Sequence, residues 1–318
     1  MKFPSSLLFL VPLASARPVE YAQQIPITGE TADGVDGIRH DAVPGIGVHF
    51  TASYAVAAAH YESGETKDLV RIDGDAEYTE LMLRWTDEST KHANQVKSND
   101  DAVLASFMTR IRRAIETELD GSMRQTALAL PPLPSGLQQK FREASKLTLF
   151  EDEAILYEES MATHASLKPT LSCSKPSHPG QHQHVLFLAF DEAFFSASMH
   201  EVPCGSNSPQ ARMVTRISYS DLGWWRLPVY EAPRAKFWAK VQEGIVHVLS
   251  LQQRPPGRIV LLGSHGADPE FKNVVEEAVW SELEVDISTM LSVNAREDSQ
   301  WLAARGAAEL IARQRRHG

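Results

Sequence analysis

The chain has 318 residues, with 31 Lys and Arg against 41 Asp and Glu, a formal net charge of −10. That acidic balance excludes a general nucleic-acid binder, which needs a basic face for phosphates. Two cysteines exclude a disulfide-dense mini-domain and a Cys-rich zinc scaffold. At 43% hydrophobic and 23% charged residues the composition is globular, the length suits one large or two medium domains, and no apolar run is long enough for a membrane span.

Residues 1–16 have the pattern of a secretory signal peptide. Lys2 supplies the positive start, Leu7 to Val11 the short apolar run, and Ala14-Ser15-Ala16 the small-residue cleavage pattern. The expected location is therefore the secretory pathway or outside the cell, with the cytoplasm as the alternative. Residues 17–42 are polar, contain Gly34 and Gly37, and read as a flexible linker.

Ile46 to Phe50 and Tyr54 to His60 are expected to be two strands joined by Thr51-Ala52-Ser53, with Leu69 to Ile72 as a third. Leu104, Phe107, Met108, Ile111, Ile115 and Leu119 keep helical spacing, with Asn99 or Asp100 as the cap and Gly121 as the stop. Thr126 to Leu130 is a short strand ended by Pro131-Pro132. Ser135 is placed as the cap of a helix carrying Leu137, Phe141 and Ala144, and a further helix is expected over Glu153 to Ala165. Ser166 to His184, with three prolines, is the expected hinge. A second hairpin follows, Val185 to Phe190 and Phe195 to His200, then a strand over 212–217. Phe237, Val241, Ile245, Val248 and Leu249 mark a long amphipathic helix. Arg258 to Leu262 is a buried strand, and Gly263-Ser264-His265-Gly266 turns it into a helix capped by Asp268 with Pro269 in its first turn. A final helix runs from about Asp298 to Arg315. The fold class is α/β with two hairpin-led halves.

Five segments in this order resemble the actin-like ATPase superfamily, specifically the nucleotide-binding domain of 70-kDa heat-shock chaperones. Ile46-Gly47-Val48-His49-Phe50-Thr51-Ala52-Ser53-Tyr54 is similar to the family's first phosphate hairpin, Gly-Ile-Asp-Leu-Gly-Thr-Thr-Tyr. Leu149 to Ala154 resembles the first connecting segment, with Glu151 at its carboxylate. Val185 to Ser198 resembles the second phosphate hairpin, Ile259 to Phe271 the adenosine segment, and Ala303 to Ala308 the closing helix. The resemblance implies a two-lobe, ribonuclease-H-like fold: lobe I over 43–172, lobe II over 173–296, and a C-terminal helix over 297–318 returning to lobe I. Only about 55 residues separate the second hairpin from the adenosine strand, so the small subdomain of lobe II is expected to be reduced.

In that fold phosphates lie between two glycine-bearing hairpin turns, whose N–H groups approach the oxygens, while a carboxylate in each strand helps hold hydrated Mg²⁺. Here the chain departs from the pattern. His49 and Ala189 stand where the two carboxylates would be, and Asp191-Glu192-Ala193-Phe194 replaces the Gly-rich turn. A carboxylate 4 Å from a phosphate charge costs about 4 kcal/mol at an effective dielectric near 20. The expectation is a catalytically dead pseudo-ATPase with no cofactor, acting as a binding module for a protein partner. The alternative is a residual Mg·ATP-binding protein or weak ATPase, in which Asp191 is a displaced metal ligand and Gly47, Thr51, Ser53, Gly263, Ser264 and Gly266 contact nucleotide.

Other groupings have plainer readings. Cys173 and Cys204 flank the second hairpin and are either a disulfide or two thiols. Cys173, His178, His182 and His184 read as a polar hinge before a zinc site. Ser264-His265 lacks the nucleophile-elbow spacing of a hydrolase. Trp224, Trp225 and Tyr230 are read as core packing before a binding patch. Arg313, Arg315 and Arg316 serve the last helix carbonyls.

Overall fold

A computed structural model describes residues 44–86, 97–123, 126–148, 154–167, 182–203, 211–252, 255–287, 291 and 298–317. The signal pattern, the linker, Leu149 to Glu153 with Glu151, most of the hinge, Cys173 and Cys204 lie outside these residues.

The first half begins with three strands, β1 (Gly45–Phe50), β2 (Tyr54–His60) and β3 (Thr66–Asp73). They form an antiparallel meander, with Phe50 opposite Ala55 and Tyr54 opposite Asp73. Two helices follow, α1 (Ala76–Thr86) and α2 (Asp100–Leu119). Strand β4 (Thr126–Leu130) returns parallel to β1, with Val48 beside Leu128. Helix α3 (Ser135–Thr148) leads to β5 (Ile155–Glu158), parallel to β4, and α4 (Glu159–Ser166) completes the half. The sheet order is β3-β2-β1-β4-β5.

The second half repeats the plan. Strands β6 (His182–Phe190), β7 (Phe195–Pro203) and β8 (Arg212–Tyr219) form a second antiparallel meander. Helix α5 (Glu231–Ser250) crosses to β9 (Arg258–Leu262), which lies parallel to β6 with Leu188 beside Leu261. The order is β8-β7-β6-β9. Helix α6 (Pro269–Leu283) follows, then a 3-10 turn over Ser299–Trp301 and α7 (Leu302–His317). Between β8 and β9 the described residues carry only α5 and a short 3-10 turn, Trp224–Arg226.

Strands β1, β2, β4 and β9 are buried along their whole length, because packed side chains cover both faces of each. On one face of the first sheet Val48, Phe50, Leu128 and Leu130 pack with Leu104, Phe107 and Phe141 of the helices. On the other face α7 comes unusually close. Gly45 lies beneath Ala308 and Gly47 beneath Ala304 and Ala308, where a side chain would meet helix backbone.

Four expectations need correction. The single helix expected over Glu153 to Ala165 divides: Ile155–Glu158 is a strand, because Ile155, Leu156 and Tyr157 find a parallel partner in β4, and the helix starts at Glu159. Helix α1 has no counterpart among the elements expected from the sequence. Helix α2 ends on Asp120 in the left-handed region, φ 48°, ahead of Gly121, and Asn99 makes no side-chain cap bond. Ser135 is the first residue of its helix rather than the residue before it. Asp268 caps α6 as expected, accepting from the Phe271 N–H at 3.0 Å.

Candidate functional site at the hairpin tips

Two tight turns face each other across the halves. In the first, Thr51 Oγ1 accepts from the N–H groups of Ser53 and Tyr54 and donates to the Tyr54 carbonyl. Those N–H groups are thereby used within the turn. In the second, Asp191 N–H donates to the Phe194 carbonyl at 3.0 Å. The second tip is held from behind by the 3-10 turn. Trp224 and Trp225 donate their N–H groups to the carbonyls of Asp191 and Glu192, each at 2.9 Å. Gly223 lies so close to Ala193 and Phe194 that a side chain would strike their backbone.

The tips are joined by side chains. Asp191 is fully buried, and its Oδ1 accepts from Tyr54 Oη at 2.7 Å, Ser264 N–H at 2.8 Å and Ser264 Oγ at 3.1 Å. Its Oδ2 has no hydrogen-bond partner among the described residues. Glu192 accepts from Ser53 Oγ at 3.2 Å and from the Arg71 guanidinium at 2.5 Å. Arg71, on β3, also lies over the Tyr54 ring, 4.1 Å from its centre, and donates to Asp73 and Gln300.

Burial and the neighbouring Glu192 charge push the Asp191 carboxyl up to about 6, against the Ser264 N–H and Tyr54 hydroxyl. Burial pulls Glu192 the same way, but the Arg71 and Ser264 hydrogen bonds outweigh it and hold its pKa below the usual carboxylate range. The Tyr54 hydroxyl is pushed well up, by burial first and by Asp191 second.

The other predicted positions are accounted for. His49 is buried, with Nε2 3.1 Å from Oε1 of Glu159 at the start of α4. Ala189 is buried on β6, and Phe194 with Ala193 is sunk in the apolar core that also holds Phe50 and Leu128. Gly263 takes φ +87°, which lets the chain pass beside Phe190 and Asp191, and its carbonyl accepts from Ser299 Oγ at 2.6 Å. Gly266 packs against the Leu262 carbonyl. Gly47 faces α7 and lies away from the tips. His265 is stacked flat on Trp224, with ring centres 4.1 Å apart, and Ser264 donates to Asp191 through both its N–H and its Oγ. His184 pairs with Glu201, and Arg313 with Glu309 one turn earlier rather than with helix carbonyls. The expectation that Trp225 and Tyr230 are core is corrected: they are 61% and 81% exposed, because their segment ends in an open loop before α5.

Among the described residues no group of three or more His, Cys, Asp or Glu is arranged to hold a metal, and no helix is long and apolar enough to cross a membrane. Three contributors carry no motif signal in the sequence: Arg71, Glu159 and Ser299. Their partners lie far away in the chain, Arg71 being 121 residues from Glu192. A lone Arg on an edge strand has no local pattern that could single it out. No family model and no curated protein matches the chain.

Proposed function

We propose that the chain is a degenerate, chaperone-like nucleotide-binding-domain protein of the actin-like superfamily, a secreted pseudo-ATPase that acts as a binding module for a protein partner. Two sheets that each set a three-strand meander beside a parallel strand support the two-lobe reading. Secretion rests on the N-terminal pattern of Lys2, an apolar run and Ala14-Ser15-Ala16.

One observation carries the loss of nucleotide chemistry. The donors at the hairpin tips are already committed to the carboxylates of Asp191 and Glu192. A phosphate chain placed there meets two acidic groups, Asp191 and Glu192, so the residues do not fit Mg·ATP. No step of phosphoryl transfer is derived through them. The alternative, residual ATP binding through Asp191, has the unpartnered Oδ2 in its favour. Against it stands the complete burial of Asp191.

Isothermal titration of the purified chain with Mg·ATP and Mg·ADP decides between them. The expected result is no heat and no thermal shift at millimolar nucleotide. Binding tighter than about 100 μM, roughly 5.5 kcal/mol, overturns the pseudo-ATPase reading and makes hydrolysis the next assay.

A further inference from the structure

Five donor groups converge on two consecutive carboxylates, and they come from separate parts of the chain. Tyr54 Oη and the N–H and Oγ of Ser264 serve Asp191, while Ser53 Oγ and the Arg71 guanidinium serve Glu192. The donors divide between the two: Tyr54 and Ser264 hold Asp191 Oδ1, whereas Ser53 Oγ and a single Arg71 N–H, from Nη2, hold Glu192, and a hydroxyl beside a guanidinium N–H is a pair that binds an oxyanion. Here the anion belongs to the chain itself.

The two carboxylates differ in access. Asp191 is wholly buried, whereas the side chains of Glu192 and Arg71 remain 13% and 31% exposed. Arg71 is also held by the Tyr54 ring and by Asp73 and Gln300, so its position does not depend on Glu192 alone.

Building on the pseudo-ATPase reading of the hairpin tips, we propose that the Glu192 carboxylate is the built-in occupant of an oxyanion site. It is an internal clamp that joins the two tips, and a phosphate oxyanion takes its place when it is withdrawn. The phosphate can be free or carried by a nucleotide, since the donors address the same oxygens.

Calorimetric titration of the full chain with inorganic phosphate and with Mg·ATP, at constant ionic strength, tests this. Glu192→Ala is expected to bind phosphate at least tenfold more tightly than the unaltered chain, and an added Arg71→Ala is expected to remove the gain. A larger gain for Mg·ATP than for phosphate points to a nucleotide source, and an equal gain to the free anion. A folded Glu192→Ala chain with no gain overturns the clamp, as does a gain that survives Arg71→Ala. Should Glu192→Ala fail to fold, Glu192→Ser carries the same criterion, because its short side chain also vacates the carboxylate's place. Tight Mg·ATP binding by the unaltered chain overturns the pseudo-ATPase reading, whereas failure of the variants to gain overturns the clamp alone.

Discussion

Asp191 and His200 are both buried, and burial moves them in opposite directions. The Asp191 carboxyl rises to about 6, while burial, helped by the Arg216 charge and opposed by Glu159, drops the His200 imidazole to about 4. Native Asp191 therefore keeps its proton up to pH 6, when the unfolded chain has lost it near 3.8. Its contribution to stability is full below pH 3.8 and is lost as pH rises through 6. Native His200 refuses a proton that the unfolded chain accepts near 6.5. Its contribution is full above pH 6.5 and is lost as pH falls through 4. Each shift corresponds to about 3 kcal/mol, and the two slopes oppose each other over the shared window. Single variants should separate them. Asp191→Asn keeps an oxygen for Tyr54 and Ser264 but has no charge to desolvate. It should leave a chain that loses stability steadily on acidification from pH 6.5 to 4. His200→Phe should do the reverse and gain stability over the same range. Thermal melts at half-unit pH steps measure both slopes, and parallel profiles for the two variants would refute the assignment.

Between elements, α4 and α7 come close together. Gly306 crosses the Ala162 carbonyl so tightly that a methyl group has no room, and its neighbours Ala303 and Ala307 are small as well. Gly306→Ala must push the helices apart, at a cost of about 1–3 kcal/mol. Gly136, in the first turn of α3, has nothing within 4 Å of where a Cβ would lie. The same substitution there should stabilise by about 0.5 kcal/mol through helix propensity and the unfolded chain. Equilibrium denaturation of the two variants should give opposite signs, and equal losses would refute the packing argument. This contrast also marks what the residues reveal in isolation. Both hairpins, β9 and the capped start of α6 were legible, because short apolar runs between turn residues and an Asp-Pro pair are local signals. Strand β5 was not, since Ile155–Glu158 runs straight into a helix and becomes a strand only beside β4. The site divided in the same way. Ser53, Asp191, Glu192 and Ser264 stood in motifs, but Arg71 reaches them only through the folded β3.

For the whole molecule, the decisive feature is that the larger core does not respect the boundary between halves. Val185, Phe187, Ala189, Phe194, Val260 and Leu262 of the second half share one buried cluster with Val48, Phe50, Phe107, Phe141 and Leu128 of the first. Polar ties cross as well. Arg216 on β8 donates to the Pro132 carbonyl at 2.7 Å, and Arg305 on α7 grips Asp68 on β3 with two hydrogen bonds while also pairing with Asp298. Neither half can expose its share of this core without leaving apolar surface in water, at about 25 cal/mol per Å². Two halves with separate cores would melt in two steps. These halves should melt in one, with the calorimetric enthalpy equal to the van't Hoff enthalpy. Phe194→Ala tests the coupling directly. It removes a side chain of the second half from the shared core, and the expected cost is about 3–5 kcal/mol. Fluorescence of Trp85, buried in the first half, read in a chain whose other five tryptophans are replaced by Phe, should then report the same lowered midpoint as far-UV circular dichroism of that chain. A first-half signal that keeps its original midpoint while the second half melts early would show that the halves are independent.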